Sequence, residues 1–320
     1  MVMDHCAKTL NRPTPVSRRH FIRGTIAASS ALAWSRLGAL AAPAAEKPAS
    51  PVVVFSKVYQ ELRLNFDDAA AVTAEAGLDG VDCPVRPGGE VLPEEVAEGL
   101  TRYTDALRQR GLGLPLLTTA ITSLSSPHAE TVLRTAKKLG VRYYRLGFIL
   151  RRRDQSPAQQ LREVRARLKD LAALNREVGI GALLQNHSPS GGTTYFGGNL
   201  AELAQAVEGF DPAQLGVAFD IGHALVVHGD DWRSWFEKLK PHFRIAYVKD
   251  VKRTGGWVPF GQGDIAGTGY FQLLRQLGYR APISVHIEFD WTDKGKSKTR
   301  AALVSALQQS SRVLRAWLGA

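Results

Sequence analysis

The chain has 320 residues, of which 44% are hydrophobic, enough for one large core or two smaller ones. Its net charge is +11, but the first 50 residues alone hold seven Lys or Arg against two Asp or Glu. The other basic residues are spread along helical stretches without aromatic interleaving or a recognisable nucleic-acid module, so we expect no nucleic-acid partner. No run of about 18 apolar residues occurs, so we expect no membrane span in the mature protein.

Residues 1–45 have the features of a twin-arginine signal peptide and linker. Residues 17–23 read S-R-R-H-F-I-R, an apolar stretch rich in Ala and Ser follows over 24–40, and small residues then offer A-x-A cleavage sites. We expect the twin-arginine translocase to export the protein to the periplasm or the medium, with no stable membrane association after cleavage. The alternative is an ordinary basic N-terminus beside an amphipathic helix. Cleavage would leave Cys83 as the single cysteine, which excludes an internal disulfide.

From Pro51 onward, short apolar runs alternate with amphipathic helical patterns. The predicted strands are Val52–Ser56, Gly80–Pro84, Leu114–Thr119, Tyr143–Phe148, Gly181–Asn186, Gly216–Asp220, Ile245–Lys249 and Ile283–Glu288. The clearest predicted helices are Pro93–Arg110, His128–Leu139, Ala158–Val178 and Leu200–Val207. This alternation predicts a parallel sheet flanked by helices, and eight units in about 270 residues match a single (β/α)8 TIM barrel over residues 51–320, preceded by the cleavable signal segment. A doubly wound open sheet is the main rival, but no Gly-rich phosphate loop follows the first strand.

Nearly every predicted strand ends in polar or ionisable residues, at the end of a barrel where chemistry takes place. These residues are Lys57, Asp82, Arg86, Thr118, Thr119, Arg145, Gln185, Asn186, His187, Asp220, His223, Lys249, Asp250, His286 and Glu288. Because side chains alternate along a strand, residues two apart share a face. We therefore expect Gln185 to point the same way as His187, and His286 to lie one layer below Glu288.

Four strings in barrel order resemble the xylose-isomerase-like barrels. They are Q-N-H at 185–187, F-D-I-G-H at 219–223, V-K-D at 248–250 and V-H-I-E at 285–288. The segment V-P-F-G-Q-G-D at 258–264 is similar to the loop that follows strand 7 in that superfamily, which includes sugar-phosphate isomerases and epimerases, ketose 3-epimerases, inosose dehydratase and endonuclease IV. The resemblance covers roughly residues 52–315 and implies a carbohydrate-active enzyme.

The resemblance also implies a divalent metal held by a strand-5 carboxylate, a strand-6 Asp, a strand-7 His and a strand-8 Glu. Asp220 and Glu288 match this pattern, whereas Gln185 stands where Glu is usual and Tyr247 where His is usual. A Gln carbonyl oxygen can still ligate a divalent ion, and imidazole suits Mn, Co, Zn or Fe. The predicted metal ligands are Gln185, Asp220, His286 and Glu288, with His187 as an alternative imidazole.

With Gln185 on strand 5, a symmetric two-Glu epimerisation loses one base, which leaves single-base isomerisation, dehydration or β-elimination as the alternatives. Glu288 is the first candidate base, with Lys249 and His187 as alternatives. The predicted substrate-binding residues are Lys57, Asp82, Arg86, Arg145, His223, Trp257 and Trp291. Five of them have a structural alternative: Asp82 as a hydrogen-bond acceptor, Arg145 as an ion-pair partner of Asp82 or Glu288, His223 as a loop cap, and Trp257 and Trp291 as lid packing.

The leading hypothesis is an isomerase or epimerase that removes a proton next to a carbonyl in a sugar, keto-sugar or polyol, with a divalent metal assisting. Neutral sugars are favoured over sugar phosphates, which are scarce outside the cytoplasm. A lyase or dehydratase acting on an oxidised sugar is the runner-up. A non-catalytic barrel that binds carbohydrate is a further alternative. An endonuclease-IV-like DNA repair enzyme is not expected, because it needs a cluster of His and Glu metal ligands that this sequence lacks. The sequence leaves homo-oligomerisation open.

Overall fold

The computed structural model describes residues 50–292 and 297–319. The predicted twin-arginine segment lies outside the described residues and stays a prediction. Among the described helices, none combines the length and the apolar character that crossing a membrane requires.

Eight parallel strands form a closed barrel in chain order, and the last strand pairs with the first. The strands are β1 (Val52–Phe55), β2 (Gly80–Val85), β3 (Gly113–Thr119), β4 (Tyr143–Arg145), β5 (Gly181–Gln185), β6 (Leu215–Asp220), β7 (Phe243–Val248) and β8 (Ile283–Val285). The predicted (β/α)8 architecture is therefore confirmed. β4 and β8 end three residues earlier than predicted, at Arg145 and Val285, and the residues that follow each strand belong to the loops at the carboxyl end of the barrel.

Helices separate the strands and cover the outside of the barrel. They are α1 (Lys57–Gln60), α2 (Phe66–Glu75), α3 (Val96–Arg108), α4 (Ala129–Lys138), α5 (Pro157–Val178), α6 (Leu200–Val207), α7 (Ile221–His228), α8 (Trp232–Leu239), α9 (Tyr270–Gln276) and α10 (Arg300–Leu318). α5 shows how the sequence sets these bounds. The Ser156 side chain caps its first turn, Pro157 occupies the first position, and Gly179 ends it in a left-handed conformation.

The barrel has two apolar layers. A large core lies between strands and helices, and a small inner cluster fills the barrel with Leu116, Leu183, Ala218, Ile245 and Tyr247. The inner residues follow the period-two alternation of the strands. The same alternation continues past the last paired residue of each strand, and so carries polar side chains to the carboxyl end of the barrel.

Candidate functional site

A cavity of about 290 Å³ opens at the carboxyl end of the strands. Ten of the predicted site residues line it: Lys57, Arg86, Arg145, Gln185, His187, His223, Lys249, Trp257, His286 and Glu288. Residues two apart share a face as predicted, because both members of the pair His286 and Glu288 reach the same cavity. The polar residues at the predicted strand ends therefore include most of the residues that line the cavity.

Lys249 lies at the centre of the polar contacts. It follows β7 on the inward face, is almost fully buried, and its Nζ lies 3.2 Å from Asp220 Oδ2 and 2.8 Å from His223 Nε2. Glu288 Oε1 lies 3.9 Å from the same nitrogen. The ammonium is thus the positive charge between the two carboxylates that match the family pattern.

Asp220, the last residue of β6, has hydrogen-bond partners at both carboxylate oxygens and at its backbone N–H and C=O groups. Its Oδ2 accepts from Gln185 Nε2 at 3.1 Å as well as from Lys249, and its Oδ1 accepts from the His223 backbone N–H. Asn186 clamps its backbone, accepting from Asp220 N and donating to Asp220 O, both at 2.8 Å. Burial raises the pKa of Asp220 while Lys249 opposes that rise. Because its side-chain partners are all donors, the group is a carboxylate that positions Lys249.

Glu288 faces the cavity between two ammonium groups. Lys57 Nζ donates to both of its oxygens, at 2.8 and 2.9 Å. Burial alone would raise the pKa of Glu288, but Lys249 and Lys57 hold it below its ordinary value. Glu288 is therefore an ionised carboxylate at neutral pH, in the protonation state that a general base needs.

His187 and His223 line the same cavity as Glu288, with ring centroids 3.8 Å apart and ring planes tilted by 40°. His187 Nδ1 lies 2.7 Å from the Ser188 carbonyl, which can only accept, so Nδ1 carries the proton and Nε2 carries a lone pair. Burial and the charge of Lys249 lower the pKa of His187 to about 4. His223 is likewise neutral, since burial and Lys249 lower its pKa well below the ordinary value, and Ser188 Oγ holds its Nδ1 at 2.8 Å.

His286 lies deeper, between the rings of Phe55 and Tyr247. Burial, followed by the charge of Lys249, lowers its pKa well below the ordinary value. Its Nε2 is buried and has no hydrogen-bond partner in the part of the chain that the structure describes. Burial raises the pKa of Tyr247 well above its ordinary value, so this phenol stays protonated and is a poor metal ligand.

The four predicted metal ligands do not fit a divalent ion in this arrangement. Gln185 turns its amide nitrogen toward Asp220, and both Glu288 oxygens accept from Lys57. Two ammonium groups already balance the two carboxylates, and a divalent ion would add charge close to Lys249. Within residues 50–292 and 297–319, no three or more His, Cys, Asp or Glu side chains form a group able to hold a metal ion.

Two predicted substrate-binding residues lie away from the cavity lining. Asp82 is fully buried inside the barrel, where its oxygens accept from Thr118 at 2.8 Å and Ser284 at 3.0 Å. It ties β2 to β3 and β8, which is the structural alternative for this residue. Trp291 is buried outside the cavity lining with Lys298 over its ring.

Sequence reasoning missed several cavity residues. These are Phe55, Phe148, Ser188, Pro189, Ser190 and Tyr195. Phe55 could have been found, since it lies two residues before Lys57 on the inward face of β1. Phe148 and Tyr195 belong to the loops after β4 and β5, and their rings contact each other and His187. Loop conformation, which alternation does not predict, brings them there.

The comparisons with known proteins agree with this architecture. A model of the Xylose isomerase-like TIM barrel family matches residues 70–316. A search of the curated proteins gives no match. Among solved structures, D-psicose 3-epimerase from Clostridium cellulolyticum superposes with a TM-score of 0.66 at 13% identity, over 84% of this chain and 99% of that one.

Two further solved structures are similar over comparable lengths. The 3-keto-D-glucoside 4-epimerase from E. coli has a TM-score of 0.64 at 12% identity, covering 83% of this chain and 99% of its own. The probable 3-DHS dehydratase from Bacillus anthracis has a TM-score of 0.59 at 15% identity, covering 83% and 98%. At these identities the neighbours show a common fold. Together with the family match over most of the chain, the closed barrel makes this protein a member of the xylose isomerase-like TIM barrel family.

Proposed function

We propose that the protein is an isomerase of a keto-sugar that removes a proton from the carbon next to the carbonyl. The observation that carries the proposal is the ionised Glu288 carboxylate 3.9 Å from the Lys249 ammonium, both facing one cavity. A base and a fixed cation side by side are what enolisation needs: one accepts the proton and the other stabilises the negative oxygen that forms.

In the proposed reaction, Glu288 takes the proton from the α-carbon. The C–H electron pair forms a carbon–carbon double bond, and the carbonyl electrons move to oxygen, where the Lys249 ammonium donates a hydrogen bond to the enediolate. His187 Nε2, which carries a lone pair, accepts the remaining enediol hydroxyl proton and returns it to the other oxygen. Glu288 then delivers its proton to the neighbouring carbon, so that the carbonyl has moved by one position and the enzyme is unchanged.

A one-base route fits the charges better than two-base epimerisation. An epimerase with two bases needs one of them protonated when the other is not. Here the pKa values of both Glu288 and His187 are lowered, so both are unprotonated at neutral pH. A single group that takes a proton and returns one to the same face of the enediolate needs no second acid, and while it holds that proton it can exchange it with the solvent.

Elimination of water or of a glycosidic oxygen is the second candidate. It begins with the same proton abstraction by Glu288, after which the enediolate expels the β-oxygen, which must gain a proton. Lys57 faces the same cavity and donates to Glu288, so it is placed as a proton donor to that leaving group. The structural similarity to a probable 3-DHS dehydratase also favours elimination.

Hydrogen exchange tests the proposal without requiring the physiological substrate. Ketoses, keto-glycosides and keto-acids of sugars are incubated with the protein in D2O, and NMR follows deuterium entering the carbon next to the carbonyl. We expect exchange for one class and a loss of about 10²–10⁴-fold in Glu288→Gln, the usual contribution of a positioned base. Asp290→Asn is the matched control, because Asp290 is exposed two residues further along the same loop. Binding of a sugar without exchange would favour the non-catalytic barrel instead.

A further inference from the structure

Among the residues that the structure describes, two guanidinium groups of the cavity lack the counter-ions that the two cavity lysines have. Lys57 pairs with Glu288, and Lys249 pairs with Asp220. Arg86, in the loop after β2, and Arg145, at the end of β4, also line the cavity. In the described part of the chain, no carboxylate oxygen lies within 4.0 Å of either guanidinium.

The protein itself uses little of the donor capacity of these two groups. A guanidinium has five N–H donors. To the described residues, Arg145, which is only 3% exposed, gives one hydrogen bond, from Nη1 to the Leu146 carbonyl at 2.9 Å. The Arg86 side chain makes no hydrogen bond to any residue that the structure describes. A desolvated cation with unused donors is costly unless a ligand completes its contacts.

The two groups are also close enough to repel each other. Burial lowers the pKa of both, and the charge of Arg86 contributes to the lowered pKa of Arg145. Asp82 attracts both electrostatically, but Thr118 and Ser284 already donate to its two oxygens. Arg86 and Arg145 therefore give the cavity an excess of positive charge.

Each of the two guanidiniums lies over an aromatic ring. Arg86 lies over the ring of Phe55 at 5.6 Å, and Arg145 lies over the ring of Phe148 at 4.4 Å. Stacking on a ring face occupies the flat side of a guanidinium and leaves its N–H edge free for a planar anion. Both rings line the same cavity.

We propose that Arg86 and Arg145 bind an anionic oxygen group, a carboxylate or a phosphate, carried by the sugar that enters this cavity. Arginine forks recognise both anions through paired N–H donors. The sugar part of the inference rests on the proposed function, whereas the anion site rests on the two arginines alone. It revises the expectation of a neutral sugar.

The arginine-rich segment 151–153 does not compete for this role. Arg151 pairs with Glu202 and also donates to Gln160, and Arg152 pairs with Asp154. Because these charges already have partners on the protein, they provide a matched control for the cavity arginines.

Calorimetric titration of the full chain tests the anion site with three probes: D-glucose, D-glucuronate and D-glucose 6-phosphate. We expect one anionic probe to bind at least about ten-fold more tightly than glucose, the factor expected for charge-assisted hydrogen bonds. Arg86→Met should abolish that advantage and Arg152→Gln should retain it. Preference for glucuronate identifies a carboxylate site, and preference for the phosphate ester identifies a phosphate site. Equal affinity of all three probes, absence of binding, or an advantage that survives Arg86→Met would overturn the proposal.

Thermal unfolding gives a second measurement that needs no ligand. If Arg86 is an unpaired cation held for a ligand, Arg86→Met removes repulsion and should leave the Tm unchanged or raise it by a few degrees. A Tm lowered by several degrees would identify Arg86 as a structural residue and overturn the proposal.

The anion site and the isomerase function can fail separately. Anion binding that persists without any deuterium exchange would support the anion site and contradict the isomerase function.

Discussion

At the scale of single residues, the site depends on charges that are fixed by their neighbours. Asp220 has no exposed surface, and its contacts with Gln185 and the His223 backbone orient the oxygen that holds Lys249. Removing one partner of such a buried pair costs about 3–5 kcal/mol, because the other charge stays buried without compensation. Asp220 is therefore a positioning residue, whereas Lys249 and Glu288 line the cavity.

The pKa of His187 leads to a pH prediction. Its neutral form persists in the folded protein until the pH falls through about 4, whereas an ordinary histidine is half protonated near pH 6.5. If the lone pair on Nε2 shuttles the hydroxyl proton, kcat/KM should stay constant as the pH is lowered from 6.5 to 5. A pH profile of kcat/KM on the best substrate checks this. A loss of half the activity near pH 6.5 would contradict the assigned state of His187.

At the scale of elements, the loop after β7 is held by a buried carboxylate. Asp250 Oδ2 accepts from the backbone N–H groups of Gly261 and Gly263, at 2.8 and 2.9 Å, and Oδ1 accepts from Val251 N at 3.0 Å. The loop carries Trp257, whose ring lies 5.0 Å from the His223 ring centroid and 5.0 Å from Lys249 Nζ. Asp250 thus links the end of a strand to one wall of the cavity.

Gly263→Ala tests this link. A Cβ at position 263 would lie 2.2 Å from Asp250 Oδ1, so the carboxylate must move and lose hydrogen bonds worth about 1.5–3 kcal/mol each. We expect a lower Tm and a changed fluorescence of Trp257 in the variant. Gly267→Ala is the control, because a Cβ there meets nothing within 4 Å. A Gly263→Ala protein with an unchanged Tm would show that Asp250 does not hold the loop.

At the scale of the whole molecule, alternation of apolar and amphipathic segments was enough to predict the closed barrel. The same period of two placed His286 and Glu288 on one face, even though both lie beyond the paired part of β8. The period of two does not predict which partners a long side chain contacts. Whether Lys249 reaches Asp220 or Asp250 depends on side-chain conformation, and only the structure shows that Asp250 turns to the backbone instead.

Loops set the other limit of prediction from the sequence. Trp257 and Trp291 both follow barrel strands, yet only Trp257 lines the cavity. The family pattern predicts a metal site, whereas the three-dimensional contacts put an ammonium group between the matching carboxylates. Two neutral substitutions, Gln185 and Tyr247, signalled this change in the sequence without revealing which group would supply the positive charge.

In the proposed isomerisation, the Lys249 ammonium is the cation that stabilises the enediolate. Deuterium exchange tests this role when it is measured after dialysis against a chelator, with and without added Mn²⁺, in the wild-type protein and in Lys249→Met. We expect the wild-type rate to stay the same in chelator and in Mn²⁺, and Lys249→Met to lose about 10²–10³-fold, as for removal of one oxyanion donor. Lys252→Met, an exposed lysine three residues further on, should keep the wild-type rate. Exchange that the chelator abolishes and Mn²⁺ restores in the wild-type protein would show that a metal ion, and not Lys249, stabilises the enediolate.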